Sequence, residues 1–445
     1  MMIEFRTKNY KSFAEEVKFS MVADQNQSEL DYSLLEQSAA GKIIKGLCSS
    51  VVYGPNAAGK TNIIGAMEVF RSIVLQGDIR NSEKGASYEA ATYILELIPN
   101  NTLSSSSPVE FSIKFFENGS LINYSICIDL GLFIAQNHTR RIISEELFVN
   151  KELIFSRREE KLNLGKEEII MDEFLQGMNL KNISSIAENS LHPEELFLIN
   201  GFKSIFSHPI VKTLIDWFSN KFIVVYRADL MEANRNLKKG VYVQGPISKA
   251  VKLFGATSNA VAYIADDDNS RANLCSLIQH PTTKKDVAIS AESFESYGTI
   301  RFINMFPLIV KALKTGGTLI VDEFDASIHP MALMSIINIF HNNDINVHGA
   351  QLIFNTHNPI FLNSNLFRKD EIKFVERDDK THASTLYALS DFTAAESQNI
   401  HKHEDYMKNY FVNRYGAIKD IDFEPIFEEI LTKDNGDDYG NKKEN

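Results

Sequence analysis

Cysteine is scarce in this chain: Cys48, Cys127 and Cys275 are the only three in 445 residues, widely separated and with no Cys-x-x-Cys pair. That spacing excludes a disulfide framework and predicts reduced, mostly buried thiols. No run of about 18 apolar residues occurs, and the opening Met1-Met-Ile-Glu-Phe-Arg lacks the basic and apolar stretches of an export leader; a cytoplasmic, non-membrane protein is expected. Basic residues are outnumbered, 46 Lys and Arg against 58 Asp and Glu, for a net charge of −12. A polyanion would be repelled over most of such a surface, so contact with nucleic acid would need a local basic patch or a partner. The middle of the chain also lacks a sustained heptad series, which argues against a long coiled coil. What is present, 44% hydrophobic and 23% charged residues, is an ordinary balance for two or three globular lobes.

The strongest local signal is Gly54-Pro55-Asn56-Ala57-Ala58-Gly59-Lys60-Thr61, a full match to G-x-x-x-x-G-K-[ST]. Before it, 49–53 reads as a short buried strand. After it, Ile63, Met67, Phe70 and Val74 fall at helical spacing, so strand, glycine loop and helix come in the order a phosphate-gripping loop requires. Backbone N–H groups of the loop, continuing to Asn62 at the helix start, would face phosphates. Lys60 would reach the β/γ oxygens, and the Thr61 hydroxyl would hold Mg²⁺.

Around this loop the sequence predicts a β-hairpin through 9–13, with Ile3, Phe5, Val17, Phe19 and Met21 on one side, then a loop with some helix over 24–45. Residues 92–97 read as extended and 101–108 as a loop. Strands at 110–116 and 121–130 flank a Glu117-Asn-Gly119 turn, and 142–149 and 152–156 continue an antiparallel lobe. From 161 to about 285 helical spacing dominates, with one short strand at 222–226, which predicts a mainly helical insert. Asp266-Asp-Asp268 inside it reads as a solvated loop, because three adjacent carboxylates cannot share one face.

Past the insert, 318–321 is continuously apolar and ends in Asp322-Glu323, the pattern of a buried parallel strand whose carboxyl end meets a ligand. Asp322 would hold Mg²⁺ and Glu323 would position or deprotonate an attacking water. A further apolar strand, 351–354, runs into Asn355-Thr356-His357-Asn358-Pro359, where His357 could donate to a γ-phosphate. Between the insert and Asp322, Glu295-Ser296-Tyr297-Gly298-Thr299-Ile300-Arg301 opens a helix carrying Phe302, Met305, Phe306, Ile309 and Leu313. Its small residues make either an anion site or an ordinary helix cap.

The order of phosphate loop, long insert, Ser296-Tyr-Gly298-Thr helix start, Asp322-Glu323 strand, Asp325-Ala-Ser-Ile-His329-Pro330 and Thr356-His357-Asn358 resembles an ABC-type ATPase head of the SMC-like class. The resemblance implies an α/β fold: a parallel core sheet plus an antiparallel β lobe, with a mainly helical insert. It implies a Walker A loop at 54–61, a Walker B strand ending in Asp322, a signature motif holding Ser296 and Gly298, a D-loop at 325–329 and a switch histidine, His357. ATP and Mg²⁺ are the implied cofactors, and the signature of one protomer would close the site of its partner in a head-to-head dimer or higher homo-oligomer. Ser-Tyr-Gly-Thr departs from the usual Leu-Ser-Gly-Gly-Gln.

Asn9-Tyr-Lys-Ser-Phe13, the 53–60 loop and Tyr410-Phe-Val-Asn-Arg-Tyr-Gly-Ala-Ile418 also resemble RloA/AbiL-type bacterial ATPases, related to AriA and OLD-type ATPases. These imply a regulatory ATPase of anti-phage or abortive-infection systems that controls a separate nuclease-like effector, with DNA or a phage protein as the candidate trigger. The alternative reading is an SMC-like DNA-repair or DNA-maintenance ATPase. The expected division is 1–160 and 286–432 for the two halves of the head, 161–285 for the insert and 433–445 for a disordered tail. OLD-type nuclease chemistry would need a metal-holding glutamate and a later Asp-x-Asp. Glu376 and Asp420-Ile-Asp422 mimic that order, but Arg377 stands where a glycine turn is needed. His401 and His403 lack a further recognisable ligand and read as a solvated pair.

Overall fold

The computed structural model describes residues 1–27, 30–39, 42–80, 96–133, 138–170, 180–206, 208–226, 241–243, 245–256, 258, 260–265, 272–395, 405–419 and 421–433. Asp266 to Asp268, His401, His403, Asp420, most of the expected extended stretch at 92–97 and the tail beyond 433 lie outside the described residues.

Strand β1 (Met2–Lys8) pairs antiparallel with β2 (Val17–Ser20), with Phe5 opposite Phe19, so the expected hairpin forms. The stretch read as loop with some helix instead holds a second antiparallel pair, β3 (Leu34–Ala39) and β4 (Lys42–Leu47), preceded by one short 3₁₀ turn at Asp31–Ser33. Its outward positions carry opposite charges across the ladder, as in Lys45 to Glu36 at 3.1 Å. The buried Leu35 packs with Met1, Ile3, Cys48 and Phe116, with Ile44 against them. Leu34, Leu47 and the exposed Ile43 share the Glu36/Lys45 face, so apolar residues fall on both faces and no two-residue period can be read from the sequence.

Strand β5 (Ser49–Tyr53) is buried at every residue and feeds the helix Lys60–Gln76 through the glycine loop. Next come β6 (Val109–Glu117), β7 (Ser120–Asp129), β8 (Arg141–Val149), β9 (Glu152–Arg158) and β10 (Lys161–Leu164). With the first hairpin they build a seven-stranded antiparallel sheet in the order β10-β9-β8-β7-β6-β1-β2. The β6–β7 turn places Asn118 at φ 49° and Gly119 at φ 78°, the two positive values a two-residue hairpin turn requires.

The expected helical insert is mixed in the structure. Helices Leu180–Asn189, His208–Asp216 and Gly245–Phe254 are present, but β11 (Phe222–Val225), β12 (Val241–Val243), β13 (Ala260–Ala265) and β14 (Ala272–Gln279) lie between or after them. With β15 (Asp286–Ser290), the last three form a four-stranded antiparallel sheet. Neither end of the stretch stands apart: β10 pairs with β9, and β11 pairs in parallel with β16 (Thr318–Val321). Two more strands follow β16 into the central sheet, β17 (Gln351–Asn355) and β18 (Ile372–Arg377), and β19 (Ser384–Ala388) ends it.

That central sheet runs β11-β16-β17-β5-β18-β19, parallel throughout except for the edge strand β19. Alternate residues face two cores, as the two-residue period of a strand demands. Val52, Ile320, Ile353 and Val375 join the Lys60–Gln76 helix and the antiparallel sheet, where Phe70 stacks on Phe111 and Tyr124. Val51, Tyr53, Leu319, Val321, Leu352 and Phe354 face the opposite core, with helices Tyr297–Thr315 and Pro330–His341. Burial on both faces explains why β16 and β17 read as apolar runs without alternation, while β5 opens on two buried serines hydrogen-bonded to Glu371. The chain therefore has an α/β fold, a mostly parallel central sheet covered on both faces, with an added antiparallel lobe. None of the three cysteines is in a disulfide, and Cys48 is buried.

Candidate nucleotide-binding site

Because β5, β16 and β17 are parallel neighbours, their carboxyl ends open on one edge of the sheet, the place where open α/β sheets bind ligands. Three of the singled-out segments therefore meet there: 54–61, 322–323 and 355–357. The loop's glycines are sterically required. A Cβ on Gly54 would lie 2.2 Å from the Val375 carbonyl oxygen. At Gly59, with φ 114°, it would lie 2.7 Å from Ser12 Oγ and 2.9 Å from Ser384 Oγ. Asn56 and Ala57 are exposed at the loop's crest, with Ala57 at φ 63°, while Ala58 is buried and its carbonyl accepts from Ser384 Oγ at 2.6 Å.

Lys60 opens the helix and folds back, its Nζ donating to the carbonyl oxygens of Gly54 at 2.7 Å and Pro55 at 2.9 Å. Burial pushes its amine down to about 8, against the opposing pull of Asp322, Glu323 and Asp325. Asn62 donates to Ser12 Oγ at 2.8 Å, and Ser384 N–H donates to the Ser12 carbonyl at 2.7 Å. The loop is thus held from behind by two serines of remote segments.

Thr61 Oγ1 donates to Asp322 Oδ1 at 3.0 Å, joining residues 261 apart in the chain. Asn355 Nδ2 donates to the same carboxylate oxygen at 2.6 Å, and Asn355 Oδ1 accepts from the backbone N–H of Glu323. Arg301, 4% exposed, donates from Nη2 to the carbonyls of Asp322, at 3.3 Å, and Glu323. These bonds hold Glu323 at φ 49°, a left-handed conformation that costs a non-glycine residue of order 1 kcal/mol and persists only where neighbours over-determine it. Asp322 is buried beside Thr61, whereas Glu323 is exposed at the edge. The exposed His357 has its pKa lowered, by desolvation first and by the Lys60 charge next, with Asp325, Glu323 and Asp322 opposing. That electrostatic environment puts it on the same edge.

Ser296 and Gly298 lie elsewhere. Ser296 caps the helix Tyr297–Thr315, its Oγ accepting from Thr299 N–H at 3.1 Å, so the ordinary cap is formed. A Cβ on Gly298 would meet the Ser327 carbonyl oxygen at 2.1 Å, which seats the helix start directly on the 325–329 loop, where Ser327 has φ 62°. Neither residue makes a described contact with the phosphate loop of its own chain. Glu376 accepts from Tyr387 O–H at 3.3 Å, and among the described residues no group of three or more His, Cys, Asp or Glu side chains is placed to hold a metal.

Four residues of this edge carried no role in the sequence reading: Ser12, Arg301, Asn355 and Ser384. The first three lie within the motif segments 9–13, 295–301 and 355–359, so each had a signal. Ser384 had none, being a lone serine on an antiparallel edge strand.

A glycine loop between a buried strand and a helix, facing an acid-ended neighbouring strand, defines the phosphate-loop nucleotide-binding class. Within it, the chain belongs to the family described as "AAA domain, putative AbiEii toxin, Type IV TA system", whose model matches residues 49–363. No curated protein matches the sequence. Among solved structures, the SMC head domain from Thermotoga maritima is similar over 87% of this chain and 98% of that chain, at 13% identity and a TM-score of 0.35, a likeness too distant to carry any role across.

Proposed function

We propose that this chain is an ATP-binding and hydrolysing regulatory subunit of a cytoplasmic anti-phage system of the abortive-infection kind, RloA/AbiL-like in type. In this reading it engages a second copy of itself head to head and controls a separate nuclease-like effector. The observation that carries the reading is the meeting of Thr61 Oγ1 and Asp322 Oδ1, 3.0 Å apart, beside Lys60 at the mouth of the glycine loop. Two hard oxygen donors and a desolvated ammonium suit Mg²⁺ and phosphate oxygens respectively.

When bound, Mg²⁺–ATP supplies the scissile phosphoanhydride and the charge that neutralises its cleavage. The protein's part is positioning. Lys60 exchanges its two carbonyl partners for phosphate oxygens, while the loop N–H groups from Gly54 to Asn62 face the same anion. Thr61 and Asp322 hold the metal, with Asn355 orienting the carboxylate. Glu323, fixed by its backbone at the edge of the site, orients and deprotonates water; His357, kept neutral by its depressed pKa, donates a hydrogen bond. Ser296 and Gly298 close the site of the partner copy. The head then comprises 1–160 and 286–432, with β11 lent by the intervening 161–285 segment, whose remainder is the lobe that moves.

Mixed protomers test this geometry. Lys60→Ala and Ser296→Arg are each expected to be inactive alone, whereas mixing them should regenerate one intact composite site per mixed pair and restore ATP hydrolysis. Failure of the mixture to hydrolyse ATP would reject the shared site.

The site also implies a pH dependence. Lys60 titrates at about 8 without ligand, and phosphate oxygens raise that value by stabilising the charged amine. Above roughly pH 8 binding therefore takes up a proton, so ATP affinity falls with rising pH, approaching about tenfold per pH unit, and is flat for this group well below it. Affinities measured by calorimetry across that range check the slope; a constant affinity through about pH 9.5 would remove Lys60 as the phosphate ligand.

A further inference from the structure

The helix Tyr297–Thr315 presents two different surfaces within its first turns. Ser296 and Tyr297 are exposed, while Gly298, Thr299 and Arg301 are buried. Gly298 and Arg301 stand three residues apart and so share a face. That face lies against the segment after β16: Gly298 is seated on the Ser327 carbonyl, and Arg301 Nη2 donates to the carbonyls of Asp322, at 3.3 Å, and Glu323. The helix start thus turns its tip outward and, with its buried face, grips the acid-bearing turn of its own chain.

Arg301 is a costly residue for such a place. It is 4% exposed, its Nε is buried with no hydrogen-bond partner, and its described bonds go to backbone carbonyls rather than to a carboxylate. Burying a cation in this way costs stability that an apolar side chain of similar volume would not. Packing alone therefore does not account for it.

What the guanidinium does is local. Glu323 is clamped on both sides of its Cα: its N–H donates to Asn355 Oδ1, and its carbonyl accepts from Arg301 and, at 3.1 Å, from Ala326 N–H. The first bond restrains the φ side, the others the ψ side, of a residue held at φ 49°. Without Arg301 the Ala326 bond still closes the turn, so the chain keeps its course while Glu323 loosens. The direction of Cβ follows φ and ψ, so the exposed carboxylate is then re-aimed. A displacement of about 1 Å in a group that orients a reactant is enough to cost about a hundredfold in rate.

We propose that Arg301 is a positioning residue for hydrolysis. Acting through the Glu323 backbone, it aims that carboxylate at the site of its own chain, while the exposed tip of the same helix serves the site of the partner copy. This rests on the reading of Glu323 as the group that orients water and of Ser296 as closing the partner's site.

The test replaces Arg301 by Met, which removes the donors and keeps an unbranched side chain, both in the wild-type chain and in Glu323→Gln. Arg301→Met should lower kcat by about tenfold to a hundredfold and leave affinity for a slowly hydrolysed ATP analogue within about threefold. Its melting temperature should stay level or rise. Arg301→Lys, which restores a charged donor, should recover part of the rate. In Glu323→Gln no carboxylate remains to be aimed, so the same Met substitution should slow single-turnover hydrolysis by less than about twofold further.

An equal further loss in that background, or a wild-type kcat in Arg301→Met, would overturn the proposal and leave Glu323 its role. Weaker analogue binding with a lower melting temperature in both Arg301→Met and Arg301→Lys would show a structural role and overturn it too. Wild-type hydrolysis in Glu323→Gln would overturn the reading of the acid, and the proposal with it. Placement gives a second check. In the mixture of Lys60→Ala with Ser296→Arg, the working site takes its loop and its Glu323 from the Ser296→Arg chain, so Arg301→Met should slow hydrolysis when carried on that chain. A loss confined to the Lys60→Ala chain would mean that Arg301 only supports the helix start, against the proposal. The cycle with Glu323 decides the point even where the mixture itself is inactive.

Discussion

Lys60→Ala loses ATP binding by about a hundredfold to ten-thousandfold, the expected result if its ammonium makes two charged hydrogen bonds to phosphate worth roughly 1.5–3 kcal/mol each. The expectation is large because the amine is already desolvated and aimed: it sits 2.7 and 2.9 Å from two loop carbonyls and titrates at about 8. Calorimetry with a slowly hydrolysed ATP analogue reads the loss. The melting temperature of the ligand-free variant must stay near that of the wild type for the result to report on the site. A variant that binds the analogue normally would show that the glycine loop is not the nucleotide cradle.

Glu323→Gln is the second. It should bind ATP with near wild-type affinity and hydrolyse it about a hundredfold to ten-thousandfold more slowly, the usual contribution of a positioned base. ATP-bound paired assemblies should then accumulate on size exclusion. The substitution is clean because the bonds that hold this residue run through its backbone, N–H to Asn355 and carbonyl to Arg301, so the side-chain charge can be removed while the left-handed turn is kept. Phosphate release at the wild-type rate would transfer the role to another group.

Three strands of the central sheet, β5, β16 and β17, were legible in the sequence because they are covered on both faces and apolar through their middles, while the polar residues at their ends, Ser49, Ser50, Thr318, Gln351 and Asn355, have buried hydrogen-bond partners. The Asn-Gly turn between β6 and β7 was legible because few other dipeptides tolerate two positive φ values. The β3–β4 pair was missed because Glu36 and Lys45 and the exposed Ile43 break its alternation. The four-stranded sheet was missed for a related reason: β15 is exposed at all five residues and offers no buried period to find. In the site, residues of the contiguous loop could be read from one string. Ser384, however, reaches Ala58 across 326 positions of chain, a contact that no local pattern encodes.

Lys60 resting on the carbonyls of Gly54 and Pro55 braces the loop from within. Capture then amounts to an exchange, two neutral oxygens surrendered for anionic ones, with almost no ordering of chain to offset. Discrimination between long and short phosphate tails would accordingly be set by how many negative oxygens arrive, and hardly at all by loop refolding.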